Sequence, residues 1–314
     1  MTSVSTKHVV IGANAHVALV EALGRACPGL EIRGARYTDV TAEDLEWADT
    51  YIGFRRPPLA TMGNVRWVHC TGAGVDSWLF PDELPRDILL TRTAESFGPM
   101  IAEWALARAL AFSQQLLEVA RSQERREWTP REVALLRGTT AVVVGTGDVG
   151  THVGRLFRSM GCNVFGVSRS GTGDESVFSA HYAAASLATV VAKADWLIVT
   201  LPLTADTRGL IGREVLQACR GAVLMNAGRG AVVEETLLPE ALDKGWLRGA
   251  ALDVFDTEPL PAQSPLWGDS RVMISPHISG LTTTEGAATG FLECLSALER
   301  GERPRWIVDR ERQY

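Results

Sequence analysis

The chain has 314 residues, 46% of them hydrophobic, enough to bury a large core and long enough for two domains. Its net charge is −6, from 31 Lys+Arg against 37 Asp+Glu, so no positive excess argues for nucleic acid or an anionic membrane as partner. No apolar run reaches membrane-spanning length, and the opening MTSVSTKHVVIGAN lacks the charged-then-apolar layout of a signal peptide, so a soluble, cytoplasmic protein is expected.

In chain order, residues 8–11, 32–37, 50–54 and 65–69 predict short strands separated by helical stretches such as His16–Ala26, a small α/β domain in the first hundred residues. Two strand ends in it carry unusual chemistry. YIGFRRPP at 51–58 runs into a Pro-rich loop with Phe54 and the adjacent Arg55 and Arg56, and TGAGVD at 71–76 runs into a glycine turn. Ligands of open α/β sheets sit at such carboxyl ends, where the N–H groups of Ala73 and Gly74 suit a carboxylate nest; a plain glycine turn is the alternative. Residues 97–128 form a long helical pattern rich in Ala and Leu, of a length that bridges domains and with apolar faces suited to a subunit interface; an internal helix is the alternative. Cys27, Cys70, Cys162, Cys219 and Cys294 are scattered singly with no CxxC, so disulfides and structural zinc are not expected and small buried side chains are.

Residues 139–171 organise the rest. A β-branched run at 141–144 ends in Gly145-x-Gly147-x-x-Gly150, a helical pattern with Val153, Leu156, Phe157 and Met160 on one face follows, and a second apolar run lies at 163–167. This strand, glycine turn, helix and strand form one βαβ unit of dinucleotide-binding length. Gly145 allows the tight turn, Gly147 lets the backbone approach a pyrophosphate, and Gly150 permits close packing of helix on strand; the N–H groups of Asp148 and Val149 donate to the anion. At the end of the second run, where an NAD site places an acid, stand Ser168, Arg169 and Ser170. A guanidinium and two hydroxyls suit the 2′-phosphate of NADP, a solvated Arg169 being the alternative. NADP(H) is therefore the preferred cofactor expected, with NAD(H) possible.

Strands are predicted at 196–200, 223–226, 250–252 and 271–274 with helices at Arg213–Ala218 and 234–244, which makes a doubly wound parallel sheet. Their ends form a polar rim: LPLTADT at 201–207, NAGRG at 226–230, LDVFDTEPLP at 252–261 and SPHISG at 275–280. Arg229 between glycines can present its fork to a carboxylate, His277 can exchange a proton near neutral pH, and Glu258 can orient the imidazole. Singly each has an ordinary solvated reading; together at successive strand ends they suit carbonyl reduction.

With TGAGVD, GTGDVG, LPLTADT, NAGRG, ALDVFDTEPLP with PLW following, and SPHISG in hand, the chain resembles the D-isomer-specific 2-hydroxyacid dehydrogenases over nearly its whole length, most of all their glyoxylate/hydroxypyruvate reductase branch. The resemblance implies two Rossmann-like doubly wound parallel-sheet domains, the cofactor domain (100–285) inserted into a substrate domain made of 1–99 and 286–314, and a homodimer formed through the 97–128 helix. It implies Arg229 as binder and polariser of a 2-keto acid, His277 as acid/base and Glu258 as its partner. It places Ala73 and Gly74 at the substrate carboxylate, Leu201, Pro202 and Thr207 along the adenosine side, Ala227 and Asp253 near the nicotinamide, and Gly228 among the cofactor-binding residues. Members that use NAD commonly carry an acid where Ser168 stands, which favours NADPH and the reductive direction. Phe54, Arg55, Arg56 and Trp267 are expected at the pocket mouth, Arg55 or Arg56 favouring a polar or doubly acidic substrate. Two other outcomes are compatible with the motifs: a dinucleotide-sensing regulator of the same fold, and a dehydrogenase of another small acid.

Overall fold

The computed structural model describes residues 6–93 and 97–314. Contacts divide the chain into two units, Met1–Phe97 with Thr282–Tyr314, and Gly98–Leu281. The first unit opens with β1 (His8–Gly12), α1 (His16–Ala26), β2 (Glu31–Ala35), α2 (Ala42–Trp47), β3 (Thr50–Ile52), β4 (Trp67–Cys70), α3 (Asp76–Leu79) and β5 (Leu89–Arg92). The strands form one parallel sheet in the order β2-β1-β3-β4-β5. Strand alternation sends Val9, Ile11, Ile52 and Trp67 to one face and Val10, Tyr51, Val68 and Leu90 to the other, both covered.

The second unit carries α4 (Phe97–Ser113), α5 (Leu116–Glu124), β6 (Thr140–Val144), α6 (Asp148–Ser159), β7 (Asn163–Ser168), β8 (Ala180–Ala183), α7 (Leu187–Val191), β9 (Trp196–Val199), α8 (Arg213–Ala218), β10 (Ala222–Asn226), α9 (Leu238–Asp243), β11 (Leu247–Leu252) and β12 (Val272–Ile274). Its strands form a parallel seven-stranded sheet, β12-β11-β10-β9-β6-β7-β8. The order reverses between β6 and β9, so the crevice at a doubly wound sheet's switch point lies where Gly145 and Leu201 leave their strands. Ala141 to Val144 of β6 are at most 1% exposed, and each of the three valines contributes about 1.5–3 kcal/mol on burial.

The chain then returns to the first unit with α10 (Thr284–Glu299), which packs on α1 and β5. Thr283 caps it, its hydroxyl accepting from the Gly286 N–H, and Phe291 stacks on Trp67 with centroids 4.9 Å apart. Ile307 pairs with Thr91 beyond the helix.

Three expectations need correction. The helical pattern over 97–128 is not one helix: α4 ends at Ser113, Gln115 takes a left-handed φ of 51°, and α5 ends at Glu124. The break is held by side chains: the Ser113 hydroxyl donates back to the Ala109 carbonyl, while the amides of Gln114 and Gln115 donate to the carbonyls of Ala134 and Glu132. The helix expected over 234–244 starts as a tight 3-10 turn and becomes α-helical only from Leu238, where Pro239 occupies the first turn. Strands β5 and β8 went unpredicted; the AHYA sequence of β8 lacks β-branched residues and forms a half-buried sheet edge. The five cysteines are free thiols, four of them buried.

Candidate active site

The glycine turn after β6 is shaped by close approach. Gly145 has φ +106° and donates its N–H to the Val167 carbonyl, while a β-carbon on Gly150 would stand 1.7 Å from the Gly145 carbonyl oxygen. Nothing lies within 4 Å of where a Gly147 β-carbon would be, so that face of the turn is open space. The turn opens onto the N-terminus of the twelve-residue α6, whose first N–H groups, those of Asp148, Val149 and Gly150, have no acceptor within the helix. The cradle therefore fits a pyrophosphate.

At the end of β7 the Ser168 hydroxyl accepts from the Thr172 N–H at 3.0 Å and donates to the Thr172 carbonyl at 2.9 Å, closing a five-residue turn. Ser170 Oγ meets Thr172 Oγ1 at 2.7 Å, and the Thr146 hydroxyl of the glycine turn donates to the Thr172 carbonyl. Arg169 and Ser170 are exposed on this turn. Thr172 is thus the residue that shapes the loop, and sequence reasoning missed it; its signal was a hydroxyl four positions after Ser168 in a Gly- and Ser-rich turn.

The 201–207 loop is braced by Thr207, whose hydroxyl donates to the Pro202 carbonyl at 2.7 Å and accepts from the Thr204 N–H at 2.8 Å. Thr207 thus serves first as the staple of its own loop, with Leu201 and Pro202 half-buried beside it. In the 226–230 turn, Asn226 was not predicted as a site residue, yet its side chain accepts from the Gly228 N–H and donates to the Arg229 carbonyl. Ala227 is buried, and Gly228 packs so tightly on Leu201 that a β-carbon would lie 2.5 Å from the Leu201 carbonyl oxygen. Arg229, fixed between the two glycines, is half-buried and donates to the Gly228 carbonyl at 2.8 Å.

His277 and Glu258 meet: Nδ1 lies 2.9 Å from Oε2, and the other carboxylate oxygen accepts from the Phe255 N–H at 3.2 Å. Burial pushes the Glu258 carboxyl up, but the hydrogen bond and charge of His277, the Phe255 N–H and the charge of Arg229 together hold it below the usual carboxylate range. Glu258 is then an anion that fixes Nδ1 as donor and leaves Nε2 to exchange a proton. His277 has a left-handed φ of 53° and donates its own N–H to the Asp253 carbonyl at 2.8 Å. The Asp253 side chain is fully buried, both oxygens turned into the 275–279 turn.

In the first unit, the Phe54 ring lies against Gly72, where a β-carbon would be 2.6 Å away, so the two strand-end loops adjoin. Ser77 Oγ donates to the Phe54 carbonyl, and Arg92 donates to the Ala73 carbonyl at 2.6 Å beside Gly74. Arg55 is exposed over the Tyr37 ring, Arg56 donates to the Asp82 carbonyl, and Trp267, in the second unit, is 54% exposed.

Residues 106–279 match the family model for the D-isomer specific 2-hydroxyacid dehydrogenase NAD binding domain. The chain belongs to the D-isomer specific 2-hydroxyacid dehydrogenase family. It is 34% identical to glyoxylate/hydroxypyruvate reductase A of Serratia proteamaculans over 267 residues, 81% of this chain and 84% of that one. It resembles the Xanthobacter autotrophicus Py2 family member crystallised with NADPH and MES at 31% identity and TM-score 0.87, covering 99% of this chain and all of that one. A similar match, at 28% identity and TM-score 0.88 over 98% of this chain and all of the other, is the Sinorhizobium meliloti NADPH-dependent glyoxylate/hydroxypyruvate reductase in complex with NADP and sulfate. This 2-hydroxyacid dehydrogenase family member is accordingly an NAD(P)-dependent oxidoreductase acting on a small keto or hydroxy acid. Among its described residues no helix is long and apolar enough to cross a membrane.

Proposed function

We propose that the protein reduces small 2-keto acids of the glyoxylate/hydroxypyruvate type to D-2-hydroxy acids, with NADPH preferred over NADH. The observation that carries this reading is the His277–Glu258 pair at 2.9 Å on the rim of a dinucleotide-binding sheet, with the charge of Arg229 acting on Glu258. A nicotinamide held there would supply the hydride for the keto carbon. His277, protonated, gives its Nε2 proton to the keto oxygen as that carbon is reduced, so one hydride and one proton complete the hydroxy acid. Glu258 holds Nδ1 and compensates the imidazolium charge; Arg229 binds the substrate carboxylate and polarises the keto oxygen. Ala73 and Gly74, at a strand end of the first unit, have main-chain N–H groups suited to a carboxylate.

On the cofactor side, Gly145, Gly147 and Gly150 shape the turn, Asp148 and Val149 donate to the pyrophosphate, and Leu201, Pro202 and Thr207 border the adenosine. Ala227 and Asp253 belong to the nicotinamide side, and Gly228 is a further cofactor-binding residue. The preference for NADPH rests on Ser168, Arg169 and Ser170, a turn with no carboxylate to repel a 2′-phosphate, and the relatives crystallised with NADPH or NADP support it. Phe54, Arg55, Arg56 and Trp267 border the substrate. The protein is read as a cytoplasmic homodimer. Leu116, Leu117 and Val119 of α5 and, beyond it, Trp128, Val133 and Leu135 are exposed apolar residues, with Trp128 at 97%; this apolar surface, of the kind a second copy would cover, supports the dimer reading.

The test is the initial rate of NADPH and NADH oxidation, side by side, with glyoxylate, hydroxypyruvate, pyruvate and bulkier 2-keto acids. Turnover of the small acids with NADPH at the higher kcat/KM is expected. NADPH binding without turnover of any of them would overturn the reductase reading in favour of a sensor or another substrate.

A further inference from the structure

The long helix α4 reaches the turn that carries His277 through a chain of buried hydrogen bonds. The indole N–H of Trp104 donates to Ser275 Oγ at 3.0 Å, and that hydroxyl donates to Asp253 Oδ1 at 2.5 Å. Asp253 Oδ1 also accepts from the Ile278 N–H at 3.0 Å, and Oδ2 from the Ser279 N–H at 2.8 Å. Trp104, Ser275 and Asp253 are 6%, 5% and 0% exposed, so water does not substitute for any partner lost. One helical turn on, Arg108 lies over the Trp104 ring at 4.7 Å; burial pulls its guanidinium down from the usual arginine range, against the opposing charge of Asp253.

This arrangement has an unusual load to hold. His277 adopts a left-handed backbone, which costs a residue with a β-carbon about 1–2 kcal/mol and persists only where the surroundings over-determine it. Asp253 supplies that constraint three times: through its carbonyl to His277, and through its carboxylate to the two residues that follow. The Ser275 hydroxyl has one proton, and Trp104, which can only donate, commits that proton to Asp253.

We propose that Trp104 and Ser275 are positioning residues for proton transfer, acting through Asp253 to keep His277 aligned with Glu258. The proposal rests on His277 being the acid, and assigns α4 a role in catalysis that none of its residues performs by touching the reacting atoms. A misplacement of about 1 Å at an acid costs up to about a hundredfold in rate without weakening ground-state binding, so the loss belongs in kcat.

The experiment compares Trp104→Phe, Ser275→Ala and Ser275→Thr with the full-length wild type, alone and combined with His277→Ala, by steady-state kinetics with glyoxylate, NADPH fluorescence titration and thermal melting. Trp104→Phe and Ser275→Ala are expected to lower kcat at least about tenfold, with KM for the keto acid and Kd for NADPH within about twofold. Ser275→Thr, which keeps the hydroxyl, is expected to restore most of kcat. In the His277→Ala background the same changes are expected to cost nothing further, because a residue acting through His277 has nothing left to position. A lowered melting temperature with unchanged kcat, or an equal additional loss in the His277→Ala background, would overturn the proposal. If Trp104→Phe does not fold, Ser275→Ala with its threonine rescue decides alone. If His277→Ala itself leaves the rate intact, it is the assignment of His277 as acid that fails; a costly His277→Ala with harmless Trp104→Phe and Ser275→Ala sinks only the relay.

Discussion

Gly230 backs onto the main chain of Phe255 so closely that a β-carbon would stand 1.9 Å from the Phe255 carbonyl carbon. The turn presenting Arg229 and the loop leading to Glu258 are thereby seated on one another, and the glycine after Arg229 is a spacer between two segments of the candidate site. Gly230→Ala must push these backbones apart. It is expected to lower kcat/KM for glyoxylate about a hundredfold or more, while NADPH still binds at the glycine turn. A variant with wild-type kinetics would show that the two segments yield without moving Arg229 or Glu258.

Glu258→Gln keeps the shape of the side chain and an accepting oxygen but removes the charge. Without the carboxylate that orients Nδ1 of His277, kcat for reduction is expected to drop about a hundredfold. Glu258 is held below its ordinary range, so its contribution to stability is complete above the ordinary carboxylate pKa and is lost as pH falls through its lower, folded value. Steady-state kcat and acid unfolding of wild type and Glu258→Gln, in parallel, check both statements.

Arg169→Ala removes the one cation on the turn closed by Ser168 and Thr172. A charge-assisted hydrogen bond contributes roughly 1.5–3 kcal/mol, so the ratio of kcat/KM with NADPH to that with NADH is expected to fall about 10- to 100-fold. Thr172→Val, which leaves the guanidinium in place and deletes a hydroxyl that meets Ser170, is expected to lower the ratio by less. An unchanged ratio in Arg169→Ala would mean that Arg169 is a solvated loop residue.

His69 is fully buried between Thr91 and Thr93, whose hydroxyls meet its two ring nitrogens at 2.8 and 3.0 Å, and burial lowers its pKa to about 3. The unfolded chain takes up this proton near pH 6.5 and the folded chain does not, so stability is full above about pH 6.5 and declines below it. The slope from this residue is at most about 1.4 kcal/mol per pH unit between those two values. Urea denaturation at pH 7.5, 6.0 and 5.0 is expected to give a shallower decline for His69→Gln than for wild type; identical slopes would rule out His69 as the source.

The family, the two parallel sheets and the glycine turn were legible because each rests on local rules: β-branched strands, an amphipathic α6, and glycines where a β-carbon collides. The groups that brace the site were not. Asn226 bonds backbone groups of its own turn, Thr172 offers its backbone N–H to the Ser168 hydroxyl, and Ser275 joins the side chains of Trp104 and Asp253; these partners meet only in the folded turns, and a polar residue in a loop looks the same whether or not it is so engaged. Asp253 shows the limit well: its motif marks it as a site residue, but only the structure reveals that its side chain is spent inside the 275–279 turn. The break at Gln115 was hidden because Gln is a good helix former, and its left-handed backbone is fixed by contacts to residues 132–134, far along the chain.

The return of α10 to the first unit sets an order on biosynthesis. Gly98–Leu281 is one uninterrupted stretch and has all its strands once residue 281 has left the ribosome. The earlier-made β1 to β5 must wait for some thirty more residues, because Trp67 is stacked by Phe291 and Thr91 is paired by Ile307. Of the two units, the one begun earlier is therefore finished later, and until α10 arrives the sheet face it covers is apolar surface left exposed on the nascent chain.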